Sequence, residues 1–556
     1  MRVLLTTLNA KYIHKNLAIR WLYVAADKQH QTFLHEFTIK DSLQHIAEQI
    51  GEYNVDVIGI STYIWNGEYV KKLVPLIKEK QPDCRIVLGG PEVTYQYNDY
   101  LSEYVDGILL GEGEKTFWQY VNEEENIPGL ITHNYKNEEV VKTDVNWLET
   151  LPSPYLLDFD LPDMGKRYLY IEAGRGCPYQ CGYCMASLDN KLRNFSLDYV
   201  MNLIDQLEKT DVKQIKFLDR TFNSDKNRSY MIAKRLLEYK KGTSFQFEVM
   251  ADTLSDELIE LVNNNPDKDK FRFEVGIQSF NKETLKEVRR YQNLDKLCTN
   301  VTSLVEHGAI VHADLIGGLP LEDLASFKDT YSKLFALKTD EMQVGILKLL
   351  KGSRLRNEMD KYGIICQQQT PYQIIKNDWV SEEDVESIVD CAAATERLWN
   401  RNLIRETLWY LYSNGVEMFD FMEKLGKLIG QLPRPFQPHQ LFALIDGCIE
   451  DETGKLLLLN EYYKQFTQRP VRYKECDIEK KQKSIIFETI CANTALTNND
   501  IRYAFFDYGI FNNQKVYQVL IYNSDSKLPD RYFVSLDNEY LGGENLNERH
   551  HDCYGK

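Results

Sequence analysis

A chain of 556 residues, 43% of them apolar and 12% aromatic, is too long for one core and is composed for two to four globular domains. A net charge of −17 and a pI near 5.2 exclude a broad electrostatic grip on nucleic acid, though not a local basic groove. No apolar run reaches the roughly 18–20 residues of a membrane helix, "MRVLLTTLNA" is too short for a secretory core, and eleven scattered cysteines make no disulfide framework, so a soluble cytoplasmic protein with reduced thiols is expected.

In residues 1–140, "RVLLTTL" (2–8), "VDVIGIST" (55–62), "CRIVLGG" (84–90) and "VDGILLGE" (105–112) read as strands. "NLAIRWLYVAADK" and "EYVKKLVPLIKEKQP" between them carry helical spacing. This alternation predicts an α/β domain with a doubly wound, Rossmann-like parallel sheet, whose ligands bind at the strands' carboxyl ends. Those ends read "LNAKYIH", "STYIWN", "GGPE" and "GEGE". No GxGxxG follows the first strand, which disfavours a dinucleotide fold. "GEGEKT" is no P-loop, because Glu114 stands where glycine should precede Lys115.

Residues 141–167 carry three prolines and little periodicity, and read as a linker. From 168 to 368, "YLYIEAG", "QIKFLD", "FQFEVMA", "FRFEVGIQ", "IVHADLIGG" and "EMQVGILKLL" alternate with helical segments such as "LDYVMNLIDQLEKT". Six βα units predict a partial (βα)6 barrel with functional residues at the strand mouths. Residues 369–556 read as a mainly helical C-terminal domain, turning mixed towards a strand-like "KVYQVLIYN". No internal repeat interrupts the chain.

The first barrel strand runs into "GRGCPYQCGYCMAS" (174–187), which places Cys177, Cys181 and Cys184 in a C-x3-C-x2-C loop. Structural zinc ordinarily takes four ligands from two separated pairs, and no second pair lies nearby; Cys298 is isolated. Three unrelated core cysteines within eight residues of a glycine-rich loop are a poor alternative. Thiolates also hold iron–sulfur clusters, and three ligands on a [4Fe–4S] cube leave one iron open.

With Tyr183 just before the last cysteine, this loop resembles the signature of the radical S-adenosylmethionine (SAM) superfamily. The resemblance implies a partial (βα)6 barrel, SAM chelated at the open iron, and reductive cleavage of SAM to a 5′-deoxyadenosyl radical. It also implies a one-electron reductant of the flavodoxin or ferredoxin kind as partner. Around SAM it implies Tyr183, Asp219 in "FLDRTF", Glu248, Glu274, Gln278, Ser279, Gly317 and Gly318. Asp219 stands where many members carry Gly-Gly-Glu. Glu248 and Glu274, isolated acids in aromatic runs, also need a partner or ligand if buried.

A doubly wound domain ahead of such a barrel resembles the cobalamin-binding branch of the superfamily, here with an extra uncharacterised C-terminal domain. The resemblance spans residues 1–365 and implies Asn9, Lys11, Ser61, Thr62, Gly89, Gly90, Pro91, Gly111, Glu112 and Gly113 around cobalamin. No Asp-x-His-x-x-Gly motif is present, and His14 lacks its neighbours, so no protein histidine is expected under the cobalt. The implied reaction is methylation of an unactivated carbon; the alternatives are a cobalamin-using oxidoreductase, cyclase or rearrangement enzyme, and a non-catalytic iron–sulfur or cobalamin sensor. The basic segment "ILKLLKGSRLR" (346–356) is either an acid-binding feature of the mouth or a solvated helix start. "ERHHDCYGK" (548–556) invites a metal through His550, His551 and Cys553 but reads as a frayed terminus.

Overall fold

The computed structural model describes residues 1–240, 242–466, 470–471, 477–522 and 528–545; the His550–Cys553 reading lies outside them. Contacts divide the chain into two compact units, one of residues 1–340 with 345–385 and one of 341–344 with 386–556.

The first unit opens with β1 (Arg2–Asn9), β2 (Gln31–Thr38), β3 (Val57–Ser61), β4 (Arg85–Gly89), β5 (Gly107–Leu109) and β6 (Leu130–Ile131). They form one sheet in the order β2-β1-β3-β4-β5-β6, parallel except for β6. The direction of winding reverses between β1 and β3, which makes their carboxyl ends the natural ligand crevice. Val3, Leu5, Val57 and Val87 point to one face, covered by the helices Leu17–Val24 and Thr116–Val121. Leu4, Ile58, Ile60 and Ile86 point to the other, under the helices Leu43–Tyr53 and Gly67–Lys80. Strand β2 is absent from the sequence reading. It is an edge strand, half-buried along most of its length, so "QTFLHEFT" lacks the apolar run that marks its neighbours.

The segment 141–167 has little regular structure, yet it is bolted down. Tyr155 is fully buried, and Asp160 takes Arg20 Nε at 2.6 Å and Lys15 Nζ at 3.3 Å. Arg20 also pairs with Glu36 at 2.9 Å, and Arg167 reaches Glu36 at 3.1 Å. This buried lattice pins the β1 loop, where Asn16 caps the helix from Leu17.

The barrel strands are β7 (Leu169–Ile171), β8 (Gln214–Phe217), β9 (Ser244–Val249), β10 (Phe271–Gln278), β11 (Ile310–Gly317) and β12 (Glu341–Ile346), hydrogen-bonded in that order. All six lie where the sequence places them. Their side chains alternate over most of their length. Ile215, Phe217, Phe245, Phe247, Phe271, Phe273, Val275 and Leu315 are buried, while Tyr170, Lys216, Gln246, Glu248, Arg272, Glu274, His312 and Asp314 share the opposite, half-buried face. The intervening helices start on side-chain caps, Ser196, Asp225, Ser255, Asn293 and Asp323 among them.

In the second unit the helices Arg405–Ser413, Met418–Gly430, Pro438–Asp446, Glu452–Lys464 and Lys480–Asn493 precede a four-stranded antiparallel sheet. Its strands β13 (Ala504–Phe511), β14 (Gln514–Ile521), β15 (Asp530–Val534) and β16 (Tyr540–Asn545) run in sequence order. The expected "KVYQVLIYN" strand is the second of these. The other three are not distinguished in the sequence, because β15 and β16 are short and "AFFDYGIF" is a near-continuous apolar run. Glu461 is buried in this unit and accepts from Glu406 N at 2.8 Å and Thr407 N at 3.0 Å, capping a helix.

Candidate cofactor-binding site

The cysteine loop follows β7 and lies between the two strands of a short antiparallel ribbon, Gly174–Arg175 with Arg193–Asn194. Its path depends on Gly176. At φ +88° a Cβ there would stand 2.3 Å from the Lys191 carbonyl oxygen, so only glycine fits. Cys177 N donates to Asp189 O at 2.9 Å, and Gly182 N to Val288 O at 2.8 Å, which ties the loop on both sides. Cys177 and Cys181 are buried and Cys184 is half-buried. Burial pushes the Cys184 thiol up, the backbone bond and Arg220 oppose it, and Cys181 and Cys177 add to it.

Arg290 is the residue that sequence reading misses. Its Nη1 lies 3.7 Å from Cys181 Sγ and 3.3 Å from Tyr183 Oη; Nη2 is 3.1 Å from Met250 Sδ and bonds the Gly276 carbonyl. No carboxylate pairs with this buried guanidinium among the described residues, so its positive charge faces sulfur. In the sequence, Arg290 is indistinguishable from its exposed neighbour Arg289; only the fold turns one of them inward.

Among the described residues no three His, Cys, Asp or Glu side chains gather closely enough to share a single ion. A mononuclear zinc with sulfur at about 2.3 Å would need such a gathering. The thiolates of an iron–sulfur cube sit on separate irons and stand further apart. Three thiols in a tied loop, with a buried cation beside them, fit the cube.

The other expected SAM residues gather at the barrel's carboxyl mouth. Glu248 on β9 stands opposite Glu274 on β10, and Gln246 Nε2 donates to Glu274. Arg220 Nη1 is 3.7 Å from Glu248. Burial pushes the Glu248 carboxyl up to about 7, Arg220 opposing and Glu274 and Asp314 reinforcing. Gln278 is buried in the left-handed region at φ +72°, and its Oε1 has no protein partner. Gly317 ends β11, while Gly318 at φ +83° packs against Ile374, and its carbonyl accepts from Asn377 Nδ2 at 2.9 Å.

Asp219 is already engaged. Its Oδ2 accepts from Ala173 N at 2.8 Å, locking the end of β8 to that of β7. Burial pushes its carboxyl up to about 7, against the Ala173 bond. A raised carboxyl favours the fold in its protonated state, so this contribution falls as pH rises from the ordinary aspartate range through about 7. Asp219→Asn keeps an acceptor and is expected to flatten the pH dependence of urea-denaturation stability across that window; an unchanged slope rejects the assignment.

The expected cobalamin residues line the carboxyl edge of the first sheet. Asn9, Ser61 and Gly89 end β1, β3 and β4, and Gly111–Gly113 follow β5. Gly89 and Gly113 leave no neighbour nearer than 4.0 and 3.7 Å to the position of a Cβ, an open cradle for a bulky group. Gly90 at φ +106° and Gly111 at φ +88° instead let loops meet, since a Cβ would stand 2.5 Å from Thr62 O and 2.3 Å from Val141 O. Thr62 N donates to Gly89 O at 2.7 Å, Ser61 Oγ to Tyr63 Oη at 3.3 Å, Pro91 starts a short helix, and Lys11 is exposed. Asn9 Nδ2 is spent on His14 O and Glu36 at 3.0 and 2.9 Å. His14 Nδ1 lies 2.6 Å from Tyr170 Oη, so it sits against the barrel's inner face rather than in solvent.

Glu112 differs most from expectation. Its carboxylate meets Arg175 at 2.9 Å, Arg193 at 2.6 Å and Thr143 N at 2.7 Å. Burial would raise this carboxyl, but the two arginines outweigh it and hold it below its ordinary range. Arg175 also binds Glu114 at 2.8 Å and Glu172 at 3.0 Å, and Arg193 binds Asp189 at 2.6 Å. "GEGE" is therefore an ion-paired joint between the first sheet and the cysteine ribbon. The basic segment 346–356 is likewise structural. Lys351 is buried against Glu92 and Asp99 at 3.2 and 3.0 Å, and Arg354 pairs with Glu358 at 2.9 Å.

Comparison with known proteins agrees with this geometry. Residues 3–121 match the B12 binding domain, 171–334 the radical SAM superfamily, and 360–431 a family described as a protein of unknown function, DUF4080. The chain therefore carries a radical SAM domain, with a B12-binding domain ahead of it and a domain of unknown function behind it. The two matched domains are those of B12 binding and of radical SAM chemistry.

The cobalamin-dependent radical SAM methyltransferase TokK of Streptomyces tokunonensis is 27% identical over 351 residues, 58% of this chain and 51% of TokK. The anaerobic magnesium-protoporphyrin IX monomethyl ester cyclase of Synechocystis is 33% identical over 134 residues, 21% of this chain and 26% of the cyclase. The solved cobalamin-dependent SAM radical enzyme OxsB shares the fold, with a TM-score of 0.59 at 14% identity over 83% of this chain and 78% of OxsB. The chain spans about half the length of TokK. Among the described residues no helix is long and apolar enough to cross a membrane.

Proposed function

We propose that the protein is a cobalamin-dependent radical SAM enzyme that methylates an unactivated carbon of its substrate. The observation that carries this reading is the joint itself: a three-thiol loop at the barrel mouth, held by Arg175 and Arg193 to the sheet that matches a B12-binding domain. Cys177, Cys181 and Cys184 would hold the cluster, with the Arg290 charge compensating the anionic sulfur. Glu248, Glu274 and Gln278, with Tyr183 and Gly317, would meet SAM. Ser61, Thr62, Gly89, Pro91 and Gly113 would meet cobalamin. When bound, the cluster and SAM supply a carbon-centred radical oxidant, and cobalamin supplies the methyl group.

The chain's own part is to hold these groups still and dry. The rings of Tyr168 and Tyr170 pack against His14, whose Nδ1 lies 2.6 Å from Tyr170 Oη. Burial, and then Lys216, Lys11 and Arg167, push the His14 imidazole down, which keeps it neutral near pH 7. Radical SAM chemistry needs an external electron, for which a flavodoxin- or ferredoxin-like donor is suited. The free thiols of Cys177, Cys181 and Cys184 suit the cytoplasm, where thiols stay reduced.

A second reading, cobalamin-assisted radical chemistry without net methylation, is favoured by the similarity to the cyclase. Anaerobic reconstitution with cobalamin, SAM, reductant and a candidate substrate separates the two. Formation of 5′-deoxyadenosine together with S-adenosylhomocysteine supports methylation, and 5′-deoxyadenosine alone supports the second reading.

A further inference from the structure

We propose that Glu322 is the positioning residue for the SAM-binding turn at Gln278–Asn281, acting as one acceptor that orients two hydroxyl groups. This rests on the reading that the turn meets SAM.

The turn is not a conformation the chain adopts freely. The register shifts between Gly276 and Gln278, and Gln278 has φ +72°. A non-glycine residue there persists only where its surroundings over-determine it. From one side, Arg290 and Gln292 hold the carbonyls of Gly276 and Ile277, the latter at 2.8 Å. From the other side, the turn's backbone N–H groups go to two hydroxyls. Phe280 N donates to Thr330 Oγ1 at 3.1 Å, and Asn281 N donates to Ser279 Oγ at 2.8 Å.

A hydroxyl accepts well only when its own proton points elsewhere. Both protons point to one atom: Ser279 Oγ and Thr330 Oγ1 donate to Glu322 Oε1 at 2.6 and 2.9 Å. Ser279, Thr330 and Glu322 are all 0% exposed, so water cannot substitute. Ser279 is therefore committed to protein, and what it contributes to SAM is the position of Gln278 beside it.

Burial favours the neutral form of the Glu322 carboxyl. No lysine or arginine pairs with it among the described residues, and Oε2 has no partner. Burial pushes its carboxyl up to about 7, the two hydroxyl bonds opposing. An amide has the same shape and the same accepting oxygen, so glutamine should replace it, and an apolar side chain should not.

The test uses the holoenzyme, reconstituted anaerobically, with iron content measured and SAM binding followed by equilibrium dialysis. Glu322→Leu is expected to retain its iron and lose SAM affinity by about tenfold or more, the loss of one or two buried hydrogen bonds. Glu322→Gln is expected to bind SAM within about twofold of the parent, a difference well under one such bond. SAM affinity unchanged in Glu322→Leu, or lost equally in Glu322→Gln, overturns the proposal. If Glu322→Leu does not fold, Thr330→Val decides: weakened SAM binding with full iron supports the link, and parental affinity overturns it. A parent that holds iron and binds no SAM rejects the underlying site reading instead.

Discussion

Alanine in place of any one of Cys177, Cys181 or Cys184 is expected to leave a folded protein that no longer holds its cluster after anaerobic reconstitution. The loop is tied by backbone bonds from Cys177 N and Gly182 N, which no side-chain change removes, so the polypeptide should survive the loss of one sulfur. A cube held at three corners has none to spare. Iron content should fall from about four per chain to below one, and the broad brown absorption should vanish. Cys298, half-buried and outside the loop, provides the control: Cys298→Ala should load normally. Full iron in Cys184→Ala, or metal-free parent protein that takes up zinc instead, would sink the cluster assignment.

Breaking the ion lattice under the β1 loop should have the largest effect on stability. Arg20 is 3% exposed and divides its guanidinium between Asp160 at 2.6 Å and Glu36 at 2.9 Å. Burial would raise both carboxyls, yet Arg20 outweighs it and both lie below their ordinary values. Removing one partner of a buried pair strands the other charge, at a cost of about 3–5 kcal/mol. Lys15 and Arg167 remain on Asp160 and Glu36, so Arg20→Met should fall near the lower end, about 3 kcal/mol. The sign of the pH dependence follows. Depressed carboxyls stabilise the fold above their unfolded values, and that stability is lost as pH falls through their folded ones. Arg20→Met should therefore flatten the acid limb of the urea-denaturation midpoint against pH. A variant as stable as the parent at pH 7 would show that the lattice is decorative.

Much of this was legible in the sequence for physical reasons. The six barrel strands announce themselves because one face alternates Phe, Val and Ile with polar residues, and the cysteine loop because three soft ligands in eight residues have few uses. What stayed hidden depends on distance in the chain. Edge strand β2 lacks an apolar signature, and Arg290 differs from Arg289 only in the direction it points. "GEGE" looked like a small-residue cradle, whereas Glu112 meets arginines 63 and 81 residues away. The half-spent Asp219 and the Ser279–Glu322 bond are long-range in the same sense, and no local pattern marks them.

The welding of Glu112 and Glu114 to Arg175 and Arg193 bears on how turnover can proceed. A corrinoid carried on a tethered module could shuttle between a charging station and a delivery station. Here, such travel would tear several shielded charges from their counterparts on every cycle. The B12-binding sheet and the cysteine ribbon are consequently fastened to one another. On the proposed reading, the substrate would have to come to the cofactors rather than the corrinoid domain to the substrate.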